Sequence, residues 1–277
     1  MQQARDLTGW VAHLSGAEIP VLRHTARELE RMHADEDNLN ARSIAQVVSN
    51  DPLMTAKILR YLQAHKHHSQ THELLHVEQA IMMMGLSTFF REVPASPVIE
   101  DVLHEHVPAL INLLHAVHRA QRSAQYAFDW ALLLHDLHAE EVRMTSLLSY
   151  LAEMLMWCFN PEQMLEIRHR QEADKTLRSS AVQVEVLGFK GVELQRALAM
   201  EWHLPGLLLD LTDPSLEKTA RVENVMYAVN LARHSANGWD DAALPDDYRD
   251  IGAMLRLDPD KVREMVVPED ASPAASS

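Results

Sequence analysis

Two stretches of the sequence decide the fold: residues 43–64, which read SIAQVVSNDPLMTAKILRYLQA, and residues 76–93, which read HVEQAIMMMGLSTFFREV. In the first stretch Asp51 precedes Pro52, the order expected for an N-cap residue followed by a proline in the first helical turn. Apolar residues then recur with helical spacing, and we expect them to be buried: Ile58, Leu59 and Leu62. The pattern predicts a helix that begins directly after Asp51.

The second stretch predicts another amphipathic helix. Its apolar residues stand at positions i, i+3, i+4 and i+7: Val77, Ala80, Ile81 and Met84. Gly85 is expected to end this helix, and Ser87 is expected to cap a short helix that carries Phe89 and Phe90. We therefore predict that Ile81 and Met84 are largely buried.

The composition also favours helices. The chain has 277 residues, of which 47% are hydrophobic and only 8 are glycine, while good helix formers such as Leu, Ala, Glu and Arg are abundant. We expect roughly twelve helices and no strand. The single cysteine, Cys158, rules out an intrachain disulfide and is expected to be buried in a helix.

Charge and hydropathy narrow the class of partner. A formal net charge of −15 argues against a nucleic-acid surface, which needs a basic stripe. No apolar run reaches the roughly 18 residues of a membrane helix, and the N-terminus lacks the apolar segment of a signal peptide. We expect a protein of the reducing cytoplasm that binds neither nucleic acid nor membrane.

The two stretches resemble the HDOD domain, the HD-related output domain of bacterial signalling proteins. The resemblance rests first on VSNDPLMT at residues 48–55 and QAIMMMGL at residues 79–86. Further landmarks follow in the order typical of the family: Ile19-Pro20-Val21-Leu22, Phe159-Asn160-Pro161-Glu162, Leu187-Gly188-Phe189 and Trp202-His203-Leu204-Pro205. The resemblance implies an all-α, multi-helix bundle of the HD-superfamily type with two packed helical subdomains.

The resemblance covers residues 10–267 and suggests a division within them. Residues 94–97 read PASP and form either a loop or a hinge. We predict an N-terminal sub-bundle at residues 10–93, an HD-like sub-bundle at 98–267 and a disordered tail at 268–277. In the second sub-bundle Pro108 is expected to open a long helix. Apolar residues from Leu147 to Cys158 are expected to share one face of a single helix.

The resemblance also raises the question of a metal site. Phosphohydrolases of the HD superfamily hold metal ions with histidines and a His-Asp pair around an open position that activates water. Aligned on the landmark at 161–162, Ser149 and Tyr150 stand where that pair would be, and His118 where the first ligand would be. Serine and tyrosine are not usual ligands of hard divalent ions.

The resemblance therefore implies a vestigial HD site formed by His118, Ser149 and Tyr150, with no metal and no cofactor. We expect these residues to lie together inside the bundle. Tyr150 should fill the vacated volume and bond its hydroxyl to a neighbouring polar group. Asp210 or Asp213 could lie near the same place.

A second His-Asp pair, His135-Asp136, offers an enzymatic alternative, with His104 31 residues before it. Against this alternative, Pro108 is expected to separate His104 from the bundle, and the Pro-Glu landmark does not follow at the family's distance. The other interpretation is that His135 and His138 belong to an exposed helix end.

Histidines also crowd residues 65–76, where five of them occur: His65, His67, His68, His72 and His76. Such a cluster can bind zinc or nickel or respond to pH, or it can be an ordinary solvated loop.

These observations predict a non-catalytic regulatory module of bacterial signal transduction that acts by binding a protein or a ligand. The alternative is a divalent-metal-dependent phosphohydrolase acting on a nucleotide. The sequence contains no recognisable receiver, cyclase or kinase segment, so we expect the signal to arrive in trans from signalling proteins. A homodimer is possible.

Overall fold

The computed structural model describes residues 6–35, 39–65, 76–174, 176–213 and 215–268. Within these residues the protein is all-α, as predicted, and its only extended pairing is an isolated parallel bridge between Val21 and Val98. The described segments form seventeen α-helices, more than the twelve expected, because some are short and one expected helix is divided. No helix among them is long and apolar enough to cross a membrane.

In chain order the helices are α1 Leu7–Gly16, α2 Arg23–Ala34, α3 Ala41–Val48, α4 Pro52–Ala64, α5 Val77–Met84, α6 Leu86–Glu92, α7 Ile99–Val102, α8 Val107–Leu133, α9 Ala139–Leu148, α10 Leu151–Phe159, α11 Pro161–Ala173, α12 Ser179–Leu187, α13 Gly191–Glu201, α14 Gly206–Leu211, α15 Ala220–His234, α16 Leu244–Leu255 and α17 Pro259–Val266.

Helix α4 begins where the sequence predicts. Asp51 is its N-cap, and the Asp51 Oδ1 atom accepts hydrogen bonds of 3.0 Å from the amides of Leu53 and Met54. Every residue from Pro52 to Leu59 is buried. A helix that is buried all round lies inside a core rather than at its surface, and α4 accordingly packs against α5, α8, α9 and α10.

The α5–α6 pair differs from the prediction at its junction. Ile81 is fully buried, whereas Met84 is only partly buried against the core. Gly85 ends α5 as expected and has a φ of 77°, which favours glycine. Gly85 also directly precedes α6, which begins at Leu86, and so Ser87 lies inside the helix rather than capping it.

The landmark at residues 19–22 lies outside the helices. Its Val21 pairs with Val98, and α2 begins only at Arg23. One further boundary departs from the expectations. The apolar run from Leu147 to Cys158 is divided between α9 and α10 by a break at Ser149 and Tyr150. The predicted long helix is confirmed as α8, with Pro108 in its first turn, and Cys158 is buried in α10.

The core consists of two clusters of buried side chains. The larger cluster extends along the chain from Trp10 to Leu208, and the smaller one joins the end of α8 to α9, α15, α16 and α17. Helix α8 contributes to both clusters and packs against α9, α10 and α15. The predicted sub-bundles 10–93 and 98–267 stay a prediction, but the larger cluster contains residues from both. The predicted tail falls almost wholly outside the described residues.

Candidate functional site

The break between α9 and α10 is held by a side chain from α13. The Gln195 Oε1 atom accepts a hydrogen bond of 2.8 Å from the Ala152 amide, and its Nε2 atom donates one of 2.9 Å to the Leu148 carbonyl. All three groups are buried. Buried backbone groups at a helix end require partners, and Gln195 supplies two of them. A side chain that lies 43 residues further along the chain than Ala152 therefore stabilises the break.

The two residues at this break use their hydroxyls within the protein. The buried Tyr150 donates 3.0 Å to the Val229 carbonyl of α15, as predicted for a tyrosine that fills a vestigial site. Burial raises the pKa of Tyr150 to about 12. Ser149 donates 2.9 Å to the Thr145 carbonyl in the preceding turn of α9. Both hydroxyl groups thus donate their hydrogen bonds to backbone carbonyls.

The structure places the three predicted site residues around two adjoining cavities rather than in one buried cluster. His118 and Tyr150 line one cavity, and Ser149 and Tyr150 line the other. His118 is exposed on the surface of α8, so the expectation that it lies inside the bundle is wrong. Its neighbour Arg119 lies over the Tyr150 ring instead, with the guanidinium carbon 5.3 Å from the ring centre.

The larger cavity has a volume of about 750 Å³ and lies between α8, α10, α11 and α15. We call it the arginine cavity. Its basic side chains are Arg119, Arg122, Arg168, Arg233, His115 and His118. Only one carboxylate, that of Glu153, lines it within the described part of the chain. The lining of the arginine cavity is therefore positively charged, whereas the protein as a whole has a net charge of −15.

The four arginines differ in their partners. Arg119 pairs with Glu153 at 2.7 Å, and Arg168 pairs with Glu172 at 2.6 Å. Arg122 donates 2.9 Å to the Tyr126 hydroxyl and lies over the Trp239 ring. Among the described residues no carboxylate lies within ion-pair distance of Arg122 or Arg233. Neither guanidinium group is therefore part of an ion pair there, although Arg233 bonds to Asn230 and His234 and interacts through charge with Asp247.

The smaller cavity has a volume of about 240 Å³ and is mainly apolar. We call it the apolar cavity. Its apolar lining comes from α10 to α14 and their connections: Met156, Met164, Leu187, Phe189, Val192, Leu194, Leu208 and Leu211. Such a concave apolar space with a few polar groups at one end is typical of small-molecule sites.

The residues around these cavities do not fit the metal site of an HD phosphohydrolase. A divalent ion needs imidazole or carboxylate ligands, and no group of three or more His, Cys, Asp or Glu side chains in the described segments could hold one. The guanidinium of Arg119 also lies over Tyr150, where a metal ion would be repelled. The prediction that the protein holds no metal remains a prediction.

The alternative His-Asp pair is not assembled with its proposed partner. His104 precedes α8 and His135 follows it, so the 27 residues of α8 separate them by about 40 Å at 1.5 Å per residue. His135 and His138 are exposed at the helix end. Burial by itself would raise the pKa of Asp136, but hydrogen bonds from Arg221 and from the His138 amide hold that pKa below its usual value.

Other predicted positions take no part in the two cavities. Asp213 accepts a hydrogen bond of 3.0 Å from Arg196 and another from Ser215, and Asp210 is exposed. The histidine-rich loop lies largely outside the described residues. Its flanking residue His65 stacks on Tyr61.

The sequence reasoning missed the arginines of the larger cavity. Four of its basic residues stand on α8 at positions i, i+3, i+4 and i+7: His115, His118, Arg119 and Arg122. This spacing places them on one helical face, and so the pattern was detectable. Arg168 and Arg233 come from other helices, and no sequence pattern connects them with that face.

The described residues form an all-α domain in which no cluster of metal-ligating side chains is assembled. The chain belongs to the HDOD domain family, whose model matches residues 19–215. This match confirms the resemblance to the HDOD domain that residues 43–64 and 76–93 indicated. No curated protein matches the chain.

Solved structures share the fold. A virulence factor from Campylobacter jejuni subsp. jejuni superposes with a TM-score of 0.71 at 20% identity, covering 96% of each chain. The MmoQ response regulator from Methylococcus capsulatus superposes with a TM-score of 0.65 at 16% identity, covering 92% of this chain and 100% of its own. At these identities the likeness concerns the fold.

Proposed function

We propose that this protein is a non-catalytic regulatory module of bacterial signal transduction, which works in the cytoplasm by binding a ligand or another protein. The observation that carries the proposal is the state of Ser149 and Tyr150. The sequence alignment on Pro161-Glu162 predicts that they stand in place of the His-Asp pair, and both donate their hydroxyl protons to backbone carbonyls. Membership of the HDOD family supports the role in signalling, as does the fold shared with a protein described as a response regulator.

The charge of the site supports binding over hydrolysis. Metal-assisted hydrolysis needs an open coordination position at which a bound water is activated. The cavity beside Tyr150 is instead lined by Arg119, Arg122 and Arg233. Guanidinium groups attract anions and repel metal ions. A site of this composition can hold an anionic ligand without supplying a nucleophile.

The test measures hydrolysis by untagged protein supplied with manganese, magnesium, iron or zinc. The substrates are p-nitrophenyl phosphate as a monoester and bis(p-nitrophenyl) phosphate as a diester. We expect no turnover above a protein-free blank and no stoichiometric metal after dialysis. Turnover that disappears in His118→Ala would overturn the proposal. Loss of turnover in His135→Ala would instead identify the alternative His-Asp pair as the metal site.

A further inference from the structure

The arginine cavity and the apolar cavity adjoin each other. They share four lining residues, which are Tyr150, Glu153, Met164 and Gln183. Tyr150 and Glu153 stand between the cationic wall and the apolar wall, and Arg119 contacts both of them. The two cavities together therefore form a space that is positively charged at one end and apolar at the other.

The charged end is suited to an anion. Arginine presents planar donors that match phosphate and carboxylate oxygens. Arg122 and Arg233 project from α8 and α15 into the arginine cavity, and neither has a carboxylate partner among the described residues. The protein carries a net charge of −15. The positive charge of the arginine cavity is therefore a local feature and not a general property of the surface.

The polar groups at the apolar end are already satisfied by the protein. Gln195 bonds to the backbone on both sides of the α9–α10 break. The Gln183 Oε1 atom accepts 2.8 Å from the Gly191 amide, and the Thr212 hydroxyl donates 2.9 Å to the Leu209 carbonyl. A polar ring such as a nucleobase would leave its own donors and acceptors unpaired here, which is costly. A hydrocarbon group has no such requirement.

We propose that the two cavities form one binding site for a small amphiphilic anion, whose phosphate or carboxylate lies among Arg119, Arg122 and Arg233 and whose hydrocarbon part fills the apolar cavity. This inference rests on the proposed function, because it names the ligand class of the same site. The ligand acts by occupying the space between α8, α10, α11 and α15, and so it can stabilise their packing.

The test uses octyl phosphate, below its micellar concentration, as the probe in calorimetric titrations. Inorganic phosphate supplies the charged end alone, octanol supplies the apolar end alone, and octyltrimethylammonium supplies the opposite charge. We expect octyl phosphate to bind at least about tenfold more tightly than any of these. Octanoate reports whether a carboxylate replaces the phosphate.

The length of the probe's alkyl group tests the apolar end. From butyl to hexyl to octyl phosphate, the affinity of the protein for the probe is expected to rise by about fourfold for each buried methylene. An affinity that does not change with chain length would contradict a hydrocarbon site. So would octyl phosphate that binds no more tightly than phosphate or octanol.

Arginine variants test the charged end. The single variants Arg122→Gln and Arg233→Gln are each expected to weaken the binding of octyl phosphate by about tenfold. Arg27→Gln, at an exposed arginine of α2 that lines neither cavity, serves as the matched control and should have no effect. Because the Arg233 side chain is exposed, its variant should fold even if Arg122→Gln does not. Unchanged affinity in the folded cavity variants would overturn the assignment.

Three more outcomes separate the explanations. Binding to vesicles that contain phosphatidylglycerol, without binding of monomeric octyl phosphate, would show a membrane surface site and overturn the proposed site for a small ligand. Release of inorganic phosphate from octyl phosphate would overturn the proposed non-catalytic function. Absence of both binding and release would overturn only the ligand class.

Discussion

At the scale of single residues, two aspartates with the same sequence context have different surroundings. Asp51 and Asp258 each precede a proline and cap a helix. Asp258 is exposed and accepts a hydrogen bond only from the first turn of its helix. Asp51 is fully buried, and its second oxygen also accepts 2.9 Å from the Leu22 amide before α2. Burial raises the pKa of Asp51 while these amide donors oppose the shift.

This difference predicts unequal losses of stability. The Asp-Pro motif alone suggests about 1 kcal/mol for loss of either cap. We expect Asp258→Ala to lower the free energy of unfolding by that amount. Asp51→Ala should lower it by about 3 to 5 kcal/mol, because three amides, two of them buried, lose a charged partner. Urea unfolding of both variants gives the comparison, and equal losses would show that burial of Asp51 has no effect.

Tyr150 gives a prediction about pH. Its pKa in the folded protein is about 12, above the ordinary value of 10.0. The stability that depends on its protonated hydroxyl is therefore complete below about pH 10 and is lost as the pH rises toward 12. We expect wild type to lose about 2 kcal/mol relative to Tyr150→Phe over this interval. Urea midpoints of the two proteins at both ends of the interval measure it, since the other tyrosines titrate in both.

At the scale of elements, the α9–α10 break shows how a distant residue can override local periodicity. The apolar pattern across residues 147–158 is compatible with one continuous helix. The chain breaks because Gln195 from α13 satisfies the Leu148 carbonyl and the Ala152 amide. At this break Tyr150 bonds to α15 and lines both cavities.

Replacing Gln195 should therefore destabilise the protein more than its size suggests. Gln195→Met keeps the volume but leaves one buried donor and one buried acceptor without partners. We expect a loss of about 2 to 4 kcal/mol in the free energy of unfolding. Gln125→Met, at an exposed glutamine of α8, is the matched control and should change stability by less than about 0.5 kcal/mol. Equal effects of the two changes would contradict the role given to Gln195.

At the scale of the whole molecule, the larger core cluster joins the beginning of the chain to its second half. Trp202 donates 2.8 Å to the Ser15 hydroxyl. Arg60 of α4 donates to the carbonyls of Leu14 and Ala17 and lies over the Trp202 ring. These contacts bring α1, α4 and α13 together. The region predicted as an HD-like sub-bundle thus buries part of its surface against residues before position 94.

This arrangement predicts that the second region does not fold by itself. A fragment of residues 98–268 would expose the faces of α10 and α13 that α4 and α1 cover. We expect it to aggregate or to lack a cooperative thermal transition, whereas the full chain unfolds cooperatively. Far-ultraviolet circular dichroism during heating is the measurement. A fragment that melts cooperatively near the temperature of the full chain would support two independent sub-bundles.

The sequence was sufficient to predict the helical class, the family and the starts of α4 and α8. These features depend on local patterns such as the Asp-Pro caps and the apolar spacing of residues 43–64 and 76–93. The landmark Pro161-Glu162, which lies close to Tyr150 in the chain, also led to the prediction of a vestigial site at Tyr150. The His115–Arg122 face of α8 was available in the same way, as a helical stripe of basic residues.

Only the tertiary structure decided the break beside Tyr150, the burial of Asp51 and the composition of the two cavities. Each depends on groups far apart in the chain: Gln195 for the break, Leu22 for Asp51, and Arg168 and Arg233 for the arginine cavity. Hydrogen bonding and charge depend on which groups meet in space. Periodicity along the chain reports only which face of a helix is buried.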